Sequence, residues 1–560
     1  MRKTRIFSLA LVFAILLTFA AACGNGGGGG TTSAPPSGGA SSAPPSGGTS
    51  SAPPSGGPAG AIDLSSGIAS GSTSKDSSFT RKTQPGTLII GQTRSMGTLD
   101  PVSGQGSPGL GIVYDSLTSI DKSDTSKFLP LLAESFTWSN EFKTLTFKLR
   151  DNITFSNGKK ITSEDVFYSL HRQATTPGMS TAHWVDINWD RTSCPDDKTF
   201  ILEFDNVQAN IMVTISQAYI LNKEWAETAT EDDWWGNPVC SGGYTVVENV
   251  SGSHITLQAR DDYFRGATEA KTVTLRYYAE LATMYIDYET GVIDVAIDLP
   301  RNITERVLKD GVPNTTWVIS SAYDFAILAM PEYVEYYNDI RVRQAIAHAL
   351  DVVAITEAAY GILGSPMDAA INNTASFYVP IGIYEYNPEK AKSLLKEAGY
   401  NDGDITLRFI AKATEGDRVI SEAVQEYLKA VGITCNVETY DFMTAVQAIR
   451  SGEAQLAIHG SGGSAFDADS IFRLIRRSSS NVSVMITKDD ALEAAIIRGA
   501  STLDPAIRAA ATKEVMQIMF DQCYYVPITN IYGALIYRDY IKEFPFYTIT
   551  RYEPFGVKFA

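Results

Sequence analysis

From residue 145 the chain reads LTFKLR, apolar and polar residues in strict alternation, and HITLQA from residue 254 follows the same scheme. A period of two places Leu145, Phe147 and Leu149 on one face and predicts half-buried strands. Elsewhere the period lengthens. In NDIRVRQAIAHALD, residues 338–351, the residues Val342, Ala345, Ile346, Ala349 and Leu350 recur at helical spacing, and Asp339 is placed to cap. In NPEKAKSLLKEAGY, residues 387–400, Asn387 caps, Pro388 suits the first turn, Ala391, Leu394, Leu395 and Ala398 share a face, and Gly399 terminates. SEAVQEYLKAVGI repeats the helical scheme with Val424, Tyr427, Leu428 and Val431. Strands and helices interleave from about residue 86 onward, which predicts an α/β (mixed α+β) architecture.

The pattern breaks down before residue 86. MRKTRIFSLALVFAILLTFAAAC has a basic start, an apolar run over residues 9–19 and small residues ahead of Cys23. That is the anatomy of an export signal over residues 1–22, and the run is too short to span a bilayer. Residues 24–78 are mostly Gly, Ser, Pro, Ala and Thr, with SAPPSGG three times. Such a stretch has too little apolar surface to build a core, and it predicts a disordered tether over residues 23–85. As a flexible coil the tether spans roughly 40 Å, and as extended polyproline II up to ~170 Å.

Length and charge add bounds. At 560 residues the chain has room for more than one structural unit. Its net charge of −17 argues against a nucleic-acid partner. Apart from Cys23 the cysteines are Cys194, Cys240, Cys435 and Cys523, an even number in an exported chain. Disulfides and four buried free thiols are both open, and the spacing gives no metal signature.

The series TLDP (98–101), PLLAESFTWS (130–139), LTFKLRDNITFSNGKKITSEDVFYSL (145–170), TGVIDVAIDLP (290–300), NDIRVRQAIAHALD, NPEKAKSLLKEAGY and EVMQIMFDQCYYVPI (514–528) resembles the extracellular solute-binding protein family 5. That family holds the oligopeptide, dipeptide and nickel receptors of ABC importers. The end of the leader resembles the lipobox of bacterial lipoproteins, whose cysteine is lipidated; here that is Cys23. Ala20 departs from the usual Leu, and Ala20, Ala21 and Ala22 also suit an ordinary secretory cleavage. The resemblance implies a two-lobed, periplasmic-binding-protein-like clamshell with an extra subdomain. Lobe I is expected over residues 86–122, 239–320 and 526–560, the subdomain over 123–238 and lobe II over 321–525. It further implies a monomer, held to the cell membrane by its lipid anchor, that captures a peptide or other small polar solute and delivers it to an ABC permease complex. Sensing without transport is an alternative, and an exported hydrolase is a less favoured one.

No catalytic constellation argues for an enzyme. GQGSPG, residues 104–109, satisfies G-x-G-x-x-G, but it follows a loop, contains Pro108 and opens no βαβ unit, so a nucleotide site is not expected. The five histidines show no paired spacing, and neither a metal nor a cofactor is expected. His348, on an amphipathic helix, reads as a packing residue.

The expected ligand contacts come from the resemblance. The segment after LDP lines the cleft in the family, which makes Gln105, Gly106 and Ser107 candidates. Trp184 falls in a cleft-facing stretch of the subdomain, where a core role competes. Lys412 is the cation nearest to where dipeptide receptors hold the ligand carboxylate, with a surface lysine as the plainer reading. In HGSGGSAFDADS, residues 459–470, the family's GW-x-x-D places Ser461 at the Trp, followed by Gly462 and Gly463, and Ser464 at the Asp that receives an α-amine. A slip of register would give that role to Asp467. A Ser there supplies only a neutral hydrogen bond, roughly half as strong as the charge-assisted one.

Overall fold

The computed structural model describes residues 69–560 except 77, 78, 80, 94–97, 104–108, 122–126, 177–183, 185, 461–466, 473, 474, 476–488, 549 and 550. Twelve of the described strands form one sheet. In chain order they are β1 (Ala69–Ser72), β2 (Thr87–Gln92), β3 (Tyr244–Val250), β4 (His254–Ala259), β5 (Thr272–Tyr277), β6 (Val295–Ile297), β7 (Thr315–Ala329), β8 (Gly364–Pro366), β9 (Ile405–Lys412), β10 (Ile433–Tyr440), β11 (Leu456–His459) and β12 (Tyr525–Arg538). Their spatial order is β10-β9-β11-β7-β12-β6-β2-β5-β4-β3, with β1 added on β7 and β8 on β12.

The local readings hold where the period was clear. Leu145 and Phe147 of LTFKLR are fully buried in the strand Thr144–Leu149, and Ile255 and Leu257 are fully buried in β4. Asp339 accepts from the Arg341 N–H at the start of the helix Ile340–Ala349, and Asn387 accepts from the Lys390 N–H at the start of Pro388–Glu397. Gly399 ends the latter with a φ of +93°, a conformation in which glycine has no Cβ penalty. The helix carrying Val424 and Leu428 begins earlier than its apolar stripe, at Glu415, because Thr414 caps it through the Asp417 N–H.

β7 and β12 are the axis of the molecule. They pair antiparallel from Thr315↔Arg538 to Ala329↔Tyr525. One half of this ribbon is built into lobe I, where β7 carries β1 at Thr316–Ile319 and β12 carries β6 at Leu535–Tyr537. The other half enters lobe II, where Ile327–Ala329 pair with β11. Register shifts fall at Ile319/Ala322, Ala322/Asp324 and Ala326/Ile327, between the two halves. Bulges bend a strand and sharpen its twist, so the ribbon turns where it passes from one lobe to the other.

Each lobe has its own apolar core. Lobe I is filled around Leu88, Ile90, Val273, Leu275 and Val295, and lobe II around Ile346, Leu407, Phe409, Leu428 and Val526. The subdomain has a four-stranded antiparallel sheet in the order Ala133–Ser139, Thr144–Leu149, Thr199–Glu203, Ser193–Asp196, packed under the helix Ser163–Thr175. Two boundaries differ from expectation. Leu221, Ala226 and Trp234, within the span expected for the subdomain, join the core of lobe I. Leu363, within the span expected for lobe II, also packs into a lobe I cluster with Met284 and Ile536.

The tether's expected span also overlaps an ordered segment. β1 reads ASGS and lacks an apolar signal, yet it completes the edge of β7 through backbone bonds. Gly71 is required there, since a Cβ would stand 2.6 Å from the Trp317 ring. Downstream, the Asp76 N–H donates to Asn314 Oδ1 at 3.0 Å, and Phe79 and Tyr288 sandwich the buried Arg538 guanidinium at 4.1 and 4.2 Å.

Candidate ligand-binding cleft

Both lobes contain parallel strands, and the crevice outside the carboxyl ends of such strands is where open α/β sheets bind ligands. In lobe II, β9 runs parallel to β10 and β11, so the trio ends at Lys412, Tyr440 and His459 on one edge. In lobe I, β2 runs parallel to β5 and β6, ending at Gln92, Tyr277 and Ile297. The two edges face one another. Tyr360 has its pKa raised by burial first, and then by the charges of Asp417, just beyond β9, Asp324 in the bend of β7, and Asp298, directly after β6. One hydroxyl therefore senses both strand ends and the crossing ribbon.

The ribbon also supports a wall of polar side chains. On β12, the Tyr532 hydroxyl takes a hydrogen bond from Asn373 Nδ2 at 2.8 Å and shares one with Ser365 at 2.9 Å. Asn530 accepts from the Asn373 N–H at 3.1 Å. These bonds fix the loop that leads to Ser376, which bridges to Asp467. Gly460, at the end of β11, lies against the same bend. Any Cβ there would meet the Phe325 carbonyl at 2.2 Å, so only glycine lets the chain approach.

Asp467 begins the helical turn Ala468–Phe472 and accepts two hydrogen bonds from Arg508 Nη2, both 2.9 Å. It also accepts from the Asp469 N–H at 3.0 Å. Arg508 lies over the Phe377 ring at 4.9 Å. Burial pushes the Asp467 carboxyl up, Arg508 opposes the shift and Asp469 adds to it. A guanidinium left in this buried site without a carboxylate partner would be costly. Asp467 and Arg508 form a buried ion pair whose charges offset one another.

The expected site residues fare differently. Gln105, Gly106, Ser107, Ser461, Gly462, Gly463, Ser464 and the lipidation residue Cys23 lie outside the described residues. The flank of the first group is firmly held. Arg172 grips Asp100 through bonds of 2.6 and 2.9 Å, which with Ser103 outweigh burial and lower the Asp100 pKa. Trp184 is 5% exposed within the subdomain core, against Trp189. Lys412 sits at the carboxyl end of β9, and its ammonium is 3.5 Å from Asp417, a carboxylate that burial pushes up and Lys412 pulls down. His348 is a packing residue, with Nδ1 2.7 Å from the Glu385 carbonyl.

Cys194, Cys240, Cys435 and Cys523 are free thiols. Burial raises the last three to about 12, which leaves them unreactive near neutrality. Among the described residues no group of three or more His, Cys, Asp and Glu is placed to hold a metal ion. Sequence reasoning did not find Arg508, Phe377, Asn373 or Tyr532, which are brought together from distant segments. The only local signal was DADS itself, a buried acidic turn in want of a cation.

A family model described as bacterial extracellular solute-binding proteins, family 5 (middle) matches residues 127–483, and the chain belongs to this family. It is accordingly an extracellular solute-binding protein of the ABC-import type, a class that captures solutes and does not transform them. The chain is 23% identical over 452 residues to heme-binding protein A of Haemophilus influenzae, covering 75% of this chain and 82% of that one. It is 25% identical over 489 residues to the dipeptide-binding protein of Escherichia coli, covering 79% and 87%. The structure of the periplasmic binding protein DppA of Helicobacter pylori, in complex with the peptide STSA, matches with a TM-score of 0.74 at 22% identity, covering 84% of this chain and 98% of that one.

Proposed function

We propose that the protein captures a peptide or comparably small polar solute between its lobes and delivers it to an ABC permease, as a monomer held at the membrane by lipidated Cys23. The observation that carries this reading is the meeting of the two parallel-strand edges at a bent two-strand ribbon, an arrangement suited to capture by hinge closure. Ser461 to Ser464 follow directly on the carboxyl end of β11, which supports their role as ligand contacts. Gln105 to Ser107 are proposed as contacts on the opposite lobe.

Peptides are favoured over other solutes by the relatives, among them a dipeptide-binding protein and a structure holding STSA. The wall chemistry narrows the mode of binding. Asp467 is balanced by Arg508, so a ligand ammonium at this wall meets no spare negative charge from that residue. Recognition here rests on neutral hydrogen bonds to Ser464 and to the peptide backbone.

Native mass spectrometry of protein purified from its own host tests the proposal. A peptide released on denaturation and absent from a Ser464→Trp variant supports it. A solute consumed by the purified protein overturns it, and a non-peptide ligand overturns the preference for peptides.

A further inference from the structure

Gln208, Ala209 and Asn210 form a loop, yet they are 0%, 7% and 1% exposed. Loops normally run over the surface, because their backbone groups need partners. The partners of this one include lobe II. The Ala209 N–H donates to the Ala500 carbonyl at 3.1 Å, and Asn210 Nδ2 donates to Ser470 Oγ at 3.3 Å. Ala500 is the last residue of the helix Asp490–Ala500, so its carbonyl is one of those a helix leaves without an internal partner. Ser470 lies three residues beyond Asp467, in the turn that closes the cleft wall.

Asn210 precedes the helix Ile211–Ile215 but makes no side-chain capping bond to it. Its oxygen accepts from Gln208 Nε2 at 3.4 Å, and its amide nitrogen reaches the opposite lobe. The residues that follow, Ile211, Met212 and Ile215, belong to the subdomain core, while Ile471 and Phe472 beside Ser470 belong to a lobe II core. Two separately packed bodies are thus joined by hydrogen bonds through a loop buried between them.

We infer that residues 208–210 form a clasp between the subdomain and lobe II, made through Asn210 and Ser470. Through Ser470 it fixes where the turn carrying Asp467 comes to rest when the lobes meet. The clasp lowers the free energy of the closed arrangement, so a solute enclosed in the cleft is held more tightly than its own contacts provide. The inference rests on the two-lobed fold and not on the identity of the solute.

Hydrogen exchange on the full chain, without added solute, tests it. The Ala209 amide can exchange only when its bond to Ala500 opens. Ser470→Ala removes a hydroxyl from lobe II and leaves the subdomain untouched. Loss of one buried neutral hydrogen bond corresponds to about five-fold, or about 1 kcal/mol. Exchange at Ala209 is expected to quicken about five-fold in Ser470→Ala and equally in Asn210→Ala, while amides of the strand Thr144–Leu149 keep their wild-type rates. Unchanged exchange at Ala209 in both variants, or an equal acceleration at Thr144–Leu149, overturns the clasp.

Discussion

Arg508 holds both carboxylate oxygens of Asp467 at 2.9 Å across 41 residues of sequence, with side-chain exposures of 12% and 8%. The pair closes the charge balance of a cleft wall and anchors the turn that follows it. Arg508→Met leaves a buried carboxylate without a counter-ion and is expected to destabilise the fold by about 3 kcal/mol or more. The double variant Asp467→Asn/Arg508→Met is expected to regain most of that loss. Urea denaturation of the single and double variants measures both, and a single-variant loss below about 1 kcal/mol would contradict a buried pair.

Ser464 provides the second prediction. Simple di- and tripeptides are expected to bind without dependence on their free amine, because the Asp467 carboxylate at this wall is already paired with Arg508. Calorimetry with a peptide and its N-acetylated form should give similar affinities. Ser464→Asp should then favour the free-amine form by about ten-fold, in keeping with a charge-assisted bond. Binding by wild type that vanishes on acetylation would show a carboxylate acting where none is proposed.

Cys23→Ala tests the anchor. A single residue whose lipid supplies the membrane hold should, when removed, send the protein into the soluble fraction. Fractionation of cells producing each form reads the outcome directly, and retention of the variant in membranes would refute lipidation at Cys23.

Asp115 predicts a pH dependence of stability. Burial lifts its carboxyl to about 7, although the Tyr263 hydroxyl donates to it at 2.8 Å and opposes the rise. A folded-state value above the unfolded one means that stability from the bound proton is full below about pH 4 and fades as pH climbs through about 7. Between pH 5 and pH 8 the wild type should lose about 3 kcal/mol relative to Asp115→Asn, which keeps an acceptor for Tyr263. Denaturation midpoints of the two proteins across that range should converge or cross; parallel curves would place the Asp115 pKa near its ordinary value.

Much of the scaffold was legible because amphipathic spacing and capping residues act locally. Asp339 and Asn387 cap the helices their neighbours predicted, and the alternation around Leu145 and Ile255 matched strands with one buried face. The crossing ribbon was not legible. β12 is buried on both faces along nearly all of YVPITNIYGALIYR, so no period of two survives in its sequence. β1 was invisible for the opposite reason, since ASGS is held by backbone bonds and by space for the Trp317 ring.

The site was less readable than the fold. Lys412 and its partner Asp417 stand five residues apart, but the resemblance drew attention to the cation alone. Arg508 lies on a helix rich in alanine, where an arginine reads as a solvated surface residue. Asn210 meets Ser470 only because two bodies 260 residues apart in sequence come together. Charge balance and closure are properties of the assembled lobes, and periodicity carries no information about either.

The stitching of residues 69–83 has a mechanical consequence. Its partners, Thr315 to Ile319, Asn314, Asp294, Arg538 and Tyr540, all lie on the lobe I side of the bend. Any load arriving along the chain from before Ala69 enters lobe I, at the pair Ala69↔Ile319 next to the first register shift, and bypasses lobe II. Lobe I would thus carry any such pull, and the strands of lobe II would be spared it.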